Sequence, residues 1–188
     1  MVIRSQFDRT MNWAPGWRLD DAPLVFADLE TTGLYPERDQ RITEVALVDR
    51  GGFRLHRIAR EAAGFGGAVE RDVLDEVSAL LDGVVVVGHN ILFDLRFLQQ
   101  RFERHQLRLP SVGFVDTLRL SRIHLNLSDH RLGSVAEHLE LELPDELHCA
   151  DNDARLARRV FERLVDKAEL ITLADADVQR FETYDDHF

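Results

Sequence analysis

The chain is poor in cysteine, in lysine and in long apolar runs. Its one cysteine, Cys149, allows no intrachain disulfide and suits a reducing compartment, so we predict a cytoplasmic protein. No strictly aliphatic run exceeds four residues, which is too short to span a membrane. Arg4, Asp8 and Arg9 interrupt the apolar stretch that a signal peptide needs, so export is not expected.

The charge balance also restricts the class of protein. The 188 residues carry 34 acidic and 23 basic side chains, a net charge of −11, and Lys167 is the one lysine among the basic residues. This argues against a protein that coats nucleic acid through bulk electrostatic attraction. It leaves room for an enzyme that meets phosphate through metal ions held in an acidic pocket.

Apolar periodicity and turn residues predict an α/β fold with one mixed sheet and helices on its faces. The first predicted strand begins at Leu24, and the other four cover 42–48, 53–58, 84–87 and 112–115. The predicted helices cover 69–81, 91–105, 117–123, 133–140 and 151–166. Residues 1–20 form an N-terminal arm that is expected to pack through its tryptophans, and residues 167–188 form a C-terminal tail.

Two acidic residues follow the first predicted strand as Asp28-Leu29-Glu30. Residues two apart on a strand point to the same face, so both carboxylates project together. They repel each other and are costly to desolvate unless a cation joins them. Taken alone, this pattern is more typical of a solvated strand end than of a site.

Two further segments place acids at helix starts. Asp94 falls early in a helix that follows a buried strand, where a carboxylate also suits the helix N-terminus on its own. Asp153 falls in the first turn of the last long helix, for which Asp151 or Asn152 is the expected N-cap. His148 is expected on the preceding loop, bent over the helix start. Its neighbour Cys149 does not form a nucleophile–base pair with it, because adjacent residues rarely have that geometry.

Together these segments supply four carboxylates and one histidine. Hard divalent cations take oxygen ligands, and two such ions about 3.5–4 Å apart stabilise both the attacking and the leaving oxygen in phosphodiester cleavage. A histidine can accept the proton of a metal-bound water. The sequence therefore contains the parts for metal-assisted phosphodiester hydrolysis.

The motifs resemble those of the 3′–5′ exonucleases of the DEDDh group, which includes the proofreading (DnaQ-like) subunits of DNA polymerases. The resemblance covers about residues 22–165. The matching segments are Phe26-Ala27-Asp28-Leu29-Glu30-Thr31-Thr32-Gly33-Leu34, then Gly88-His89-Asn90-Ile91-Leu92-Phe93-Asp94, and then His148-Cys149-Ala150-Asp151-Asn152-Asp153-Ala154.

The resemblance implies an exonuclease domain at 21–166. It implies that this domain has an RNase H-like fold with a five-stranded mixed sheet. It implies that two Mg²⁺ or Mn²⁺ ions are held by four carboxylates and that His148 is the general base. The implied metal ligands are Asp28, Glu30, Asp94 and Asp153. The implied substrate contacts are Leu29, Thr31, Thr32, Asn90 and Phe93.

The function implied is removal of nucleoside monophosphates from nucleic-acid 3′ ends. DNA is favoured as substrate, in proofreading or repair, with a DNA polymerase subunit as a candidate partner. Between 55 and 83 the chain lacks the proline-rich loop and His-Gly-Ile-Thr-like segment of many relatives. This leaves DNA and RNA open as substrates, so an RNA-directed, oligoribonuclease-like enzyme is kept as an alternative. A polymerase-accessory binding module is kept as another, because fold alone does not give function.

One helix face carries repeated arginines. They lie at helical spacing on the last predicted helix, at Arg155, Arg158, Arg159 and Arg163. A solvated helix face is the simpler interpretation, and a phosphate-guiding stripe is the alternative.

Overall fold

The computed structural model describes residues 13–38, 40–58 and 68–182. Much of the predicted arm, the end of the acidic tail and part of the divergent 55–83 segment lie outside these residues. The strands are β1 (Leu24–Thr31), β2 (Ile42–Asp49), β3 (Arg54–Ile58), β4 (Val85–Gly88), β5 (Val112–Asp116) and β6 (Gln179–Phe181). The helices are α1 (Ala68–Leu81), α2 (Ile91–Arg104), α3 (Thr117–His124), α4 (Leu132–His138) and α5 (Ala150–Ala168), with a 3-10 turn at Pro36–Arg38.

The strands form one mixed sheet in the order β3-β2-β1-β4-β5-β6. The central strand β1 is antiparallel to β2 and parallel to β4, and β4 is parallel to β5. The predicted five-stranded mixed sheet is confirmed. The additional strand β6 pairs antiparallel with β5 at the edge and is only three residues long.

The alternation of side chains along β1 divides the core into two layers. Leu24 and Phe26 face the layer that contains α5, where the rings of Phe26 and Phe161 lie 5.8 Å apart. Val25 and Leu29 face the opposite layer, formed with α1 and α2. Because Asp28 continues the Leu24–Phe26 series, its carboxylate points to the α5 side at the end of the apolar run.

The described part of the N-terminal arm packs against the C-terminal region. The Trp13 indole is buried over Gly113 of β5, where an added Cβ atom would overlap the ring. Trp17 is about half exposed, and its carbonyl accepts a hydrogen bond from the Leu173 amide at 2.9 Å. Of the two tryptophans, only Trp13 packs in the core. Among the described helices, none is both long and apolar enough to cross a membrane.

Candidate active site

Asp28 and Glu30 lie near the end of strand β1, beside the site. They pair with Ala46 and Glu44 of β2, and the register shifts immediately after Glu30. Pairing with β4 ends at Phe26, three residues before Leu29. The last residues of β1 therefore extend beyond β4, so their backbone and side chains can contact other elements.

Helix α2 delivers Asp94 to the same place. The chain enters α2 through Asn90, which has a left-handed φ of 63° and whose amide donates to Asp116 Oδ1 at 2.8 Å. Asp94 is buried in the first turn, and its Oδ1 accepts a hydrogen bond from the Leu29 amide at 2.9 Å. This bond joins α2 to β1 between Asp28 and Glu30.

Helix α5 delivers Asp153, and the loop before it delivers His148. As predicted, His148 precedes the helix; it has a φ of 63°, and its amide donates to Asp153 Oδ2 at 3.2 Å. The expected N-cap at Asp151 or Asn152 is wrong. Cys149 occupies the N-cap without a side-chain bond, while Asp151 pairs with Arg155 at 3.1 Å and Asn152 donates to the Glu146 carbonyl.

These elements bring the predicted ligands together. One ligand atom each from Glu30, His148 and Asp153 lies within 4.8 Å of the others. Burial raises the pKa of Asp28 well above its ordinary value, and the charges of Asp94, Asp153 and Glu30 raise it further. All four carboxylates therefore share one electrostatic environment.

Two further carboxyl groups of this cluster have pKa values shifted in the same direction. Burial raises the pKa of Asp94 well above its ordinary value, although the Leu29 amide partly opposes this. Burial also raises the pKa of Asp153, partly opposed by the amide and the charge of His148. Without a cation, ionising this cluster is therefore unfavourable.

The donor set fits divalent metal ions. Asp28, Glu30, Asp94 and Asp153 supply carboxylate oxygens, which hard cations prefer. The buried Asp153 Oδ1 has no hydrogen-bond partner among the described residues, which is costly unless a cation satisfies it. These four residues would hold the ions.

Three positioning residues lie beside the ligands without having been assigned a role from sequence. Glu44 Oε2 accepts the Ala150 amide at 3.2 Å and so satisfies a free donor at the start of α5. Asp116 caps α3 through the Leu118 amide at 2.9 Å as well as holding Asn90. His89 bridges Thr117 at 3.0 Å and the His130 carbonyl at 2.8 Å, and burial lowers its pKa. Only the folded contacts reveal what each side chain does.

The predicted substrate contacts occupy different environments. Leu29 is buried against the α1–α2 layer, and Phe93 packs on Phe97 with ring centroids 4.9 Å apart. The hydroxyl groups of Thr31 and Thr32 bond within their own loop, to the Gly33 carbonyl at 2.6 Å and from the Arg41 amide at 2.9 Å. Their backbone and the half-buried Phe93 remain beside the carboxylates.

A cavity of about 630 Å³ opens next to the ligands. His148, Asp153 and Asn90 are among the residues that line it. Arg122 and Arg131 lie in its wall, but Arg131 pairs with Asp129 at 2.8 Å, and Glu137 adds a further carboxylate. The apolar part of the wall includes Leu118, Leu132, Leu143 and Leu147. A cavity with this lining can accept a group that is part apolar and part anionic.

The arginines of α5 mostly bind the protein itself. Arg155 donates to the Gly52 carbonyl, and Arg158 donates to the Arg50 carbonyl at 3.0 Å. Arg159 donates to the Glu142 carbonyl at 2.8 Å. These bonds fasten the β2–β3 turn and the loop after α4 to the helix, so they favour a structural role over a phosphate-guiding stripe.

The sequence profile of the exonuclease (RNase T) family matches residues 53–161, which is more than half of the chain. The chain therefore belongs to this exonuclease family. The matched range contains Asp94, His148 and Asp153, whereas Asp28 and Glu30 precede it.

Two curated relatives are similar over most of the chain. The DNA polymerase III PolC-type of Mycoplasma pneumoniae is 29% identical over 182 residues, covering 85% of this chain and 13% of that protein. The 3′-5′ exonuclease DinG of Bacillus subtilis is 30% identical over 165 residues, covering 77% of this chain and 18% of that protein. The chain thus spans less than a fifth of the length of either relative.

Solved structures show the same fold. The nuclease domain of 3′hExo, a DEDDh family member bound to rAMP, superimposes with a TM-score of 0.61 at 13% identity. The superposition covers 86% of this chain and 96% of that one. The resemblance to the DEDDh exonucleases and the predicted RNase H-like fold are confirmed.

Proposed function

We propose that this chain is a metal-dependent 3′–5′ exonuclease that releases nucleoside monophosphates from DNA 3′ ends. The observation that carries the proposal is the meeting of Asp28, Glu30, Asp94 and Asp153 beside His148. Membership of the exonuclease family supports the reaction type. The 3′-5′ exonuclease activity named for the DinG relative supports the direction of cleavage.

The four carboxylates would hold two Mg²⁺ or Mn²⁺ ions, which would supply activation of a water and stabilisation of negative charge on the phosphate. His148 accepts the proton of the attacking water on its imidazole. The hydrogen bond from the His148 amide to Asp153 ties the loop to the first turn of α5. It therefore fixes the backbone position from which the imidazole extends. The general base is thus positioned by the same residue that binds metal.

The substrate lies between the β1–loop segment and the cavity. The terminal nucleotide contacts Leu29, Thr31 and Thr32 through their backbone, and Asn90 and Phe93 line its path. Arg122 contacts the anionic strand in the cavity, and the leucines of its wall contact sugar and base.

The preference for DNA and the biological setting are further parts of the proposal. One relative is named as a DNA polymerase, DNA polymerase III PolC-type, which supports DNA as the substrate. We therefore favour proofreading or repair, with a DNA polymerase subunit as partner. The cytoplasmic location expected from the sequence stays a prediction.

The proposal is tested with three 5′-labelled substrates: single-stranded DNA, mismatched duplex DNA and RNA. Each is incubated with Mg²⁺, Mn²⁺ or chelator and resolved on a gel. A ladder that shortens from the 3′ end of DNA, and disappears with chelator, is expected. A ladder on RNA alone would assign the RNA-directed alternative, and cutting of a closed circle would exclude an exonuclease.

A further inference from the structure

The general base of the proposed reaction lies at metal-binding distance from two metal ligands. In the described residues, one nitrogen of His148 and one oxygen each of Glu30 and Asp153 lie within 4.8 Å of one another. A single ion at their centre would be within coordination range of all three after small side-chain movements. The imidazole is exposed, so it can turn without disturbing the core.

A second observation also indicates a cation at this position. The Asp153 side chain is 8% exposed, and its Oδ1 is buried without a hydrogen-bond partner among the described residues. Its other oxygen accepts the His148 amide at 3.2 Å, so the two ligands are fixed to each other through the backbone. A buried and partly unsatisfied carboxylate next to an imidazole favours an ion that binds both groups.

The chemistry of this trio differs from that of the four-carboxylate cluster. Mg²⁺ prefers oxygen ligands and keeps several waters, whereas imidazole suits Zn²⁺ and its neighbours in the first transition row. Three protein ligands that include histidine, with one position left for water, are a common arrangement for Zn²⁺. Affinity for nitrogen and oxygen ligands also rises from Mn²⁺ to Zn²⁺.

We propose that Glu30, His148 and Asp153 form a capture site for Zn²⁺ that inhibits the enzyme by occupying its general base. Ion binding here needs no nuclease activity, but the inhibition rests on the proposed function. A His148 imidazole bound to Zn²⁺ has no lone pair left to accept the water proton. Zn²⁺ would therefore stop the reaction even when Mg²⁺ is abundant.

The binding test uses the metal-free full chain in excess Mg²⁺. Zn²⁺ affinity is measured by competition with a chromophoric chelator, without any substrate. We expect His148→Gln to weaken Zn²⁺ binding by at least about 10–100-fold, since even outer contacts of a metal site cost that much. His138→Gln, which removes an exposed histidine at the end of α4, serves as the matched control and should bind like wild type.

Further variants separate the proposed ligands from their neighbours. Glu30→Gln removes a ligand from β1 and should also weaken Zn²⁺ binding. Cys149→Ser changes the thiol beside His148 and should leave affinity unchanged. Wild-type affinity in both His148→Gln and Glu30→Gln, or loss of binding in Cys149→Ser alone, would overturn the assignment.

The inhibition is measured separately on the wild-type chain with Mg²⁺ and labelled DNA. One equivalent of Zn²⁺ per chain should abolish most of the Mg²⁺-supported cleavage, and excess chelator with fresh Mg²⁺ should restore it. Zn²⁺ binding through His148 with undiminished cleavage would refute the inhibitory role. A chain that binds Zn²⁺ in this way but never cleaves DNA or RNA would instead refute the proposed function.

Discussion

The Leu29 amide donates a hydrogen bond to Asp94 Oδ1 at 2.9 Å, and both groups are buried. This contact fastens the first turn of α2 to the end of β1. Asp94 therefore has a structural role in addition to its proposed role as a metal ligand. The two roles can be separated, because the hydrogen bond needs only a lone pair on the side-chain oxygen, whereas metal binding depends on the negative charge.

Asp94→Asn should keep the fold and lose metal-dependent activity. The amide oxygen can still accept the Leu29 proton, whereas the negative charge is gone. Asp94→Ala leaves that buried amide without a partner and should cost about 1–3 kcal/mol of stability in addition. Thermal melts and nuclease assays on both variants check the pair. Equal stability of the two variants would show that the hydrogen bond is not structurally important.

Divalent metal should stabilise the folded chain, because it relieves the repulsion among the carboxylates of the site. The pKa values of Asp28, Asp94 and Asp153 are all raised in the folded state, so the folded metal-free chain binds more protons than the unfolded one. Its stability should therefore fall as pH rises from the ordinary carboxyl pKa through the raised values. Mg²⁺ or Mn²⁺ should reverse this fall, because it favours the ionised forms.

The measurement is a series of melting temperatures against pH, with metal and with chelator. Asp28→Asn should melt higher than wild type in chelator near neutral pH, gain less from metal, and be inactive. Metal-independent melting of wild type across this range would argue against a carboxylate cluster that binds cations.

His148→Ala should lose about 10²–10⁴-fold in rate, the usual contribution of general acid–base catalysis. Its melting temperature in Mg²⁺ should stay near that of wild type, because the side chain is exposed and is not a Mg²⁺ ligand in the proposed scheme. Turnover is corrected for the folded fraction. A variant that melts lower but turns over normally would make His148 a packing residue only.

Arg122→Ala should weaken substrate binding and raise KM, with a smaller effect on kcat. Arg122 lines the cavity, whereas Arg119 on the same helix pairs with Asp177 outside it. Arg119→Ala is therefore the matched control, with the same charge change and no expected effect on KM. The loss in Arg122→Ala should shrink as salt increases, since screening weakens a phosphate contact. An equal KM change in both variants would show a general charge effect.

A second charged network, remote from the ligands, should contribute stability. Arg101 on α2 makes two hydrogen bonds of 2.6 Å to Glu70 on α1, and His105 adds one of 2.8 Å. Burial raises the pKa of Glu70, but hydrogen bonds and charges from Arg101 and His105 outweigh this and lower it. The stabilisation should be complete above the ordinary glutamate pKa and be lost as pH falls through the lowered value.

Glu70→Gln tests this network without affecting the metal ligands. Breaking a buried ion pair by removing one partner typically costs about 3–5 kcal/mol. Denaturant unfolding at neutral and acidic pH should show a large difference from wild type at neutral pH that narrows in acid. A difference that is constant with pH would mean that packing, and not charge, holds α1 to α2.

Helices and strands could be predicted where a local apolar pattern was present, and the predictions failed where that pattern ended. The helix and strand positions came close to those observed, because apolar periodicity reports which face of each element is buried. The end of β1 was less visible, since Asp28 and Glu30 interrupt the apolar run while pairing with β2 continues. Strand β6 is too short for any period to show, and the N-cap of α5 was misassigned because acids in a first turn resemble caps.

The sequence by itself determined the types of residue in the candidate site and the elements that carry them. Strand alternation, helix starts and motif spacing are local properties that residue order encodes. Only the tertiary structure decided the distances: it bonds Asp94 to Leu29, brings Glu44 to the start of α5 from 106 positions away, and sets His148 at ligand distance from Glu30. Contacts of this kind depend on how the sheet stacks against α2 and α5, and no local pattern records that packing.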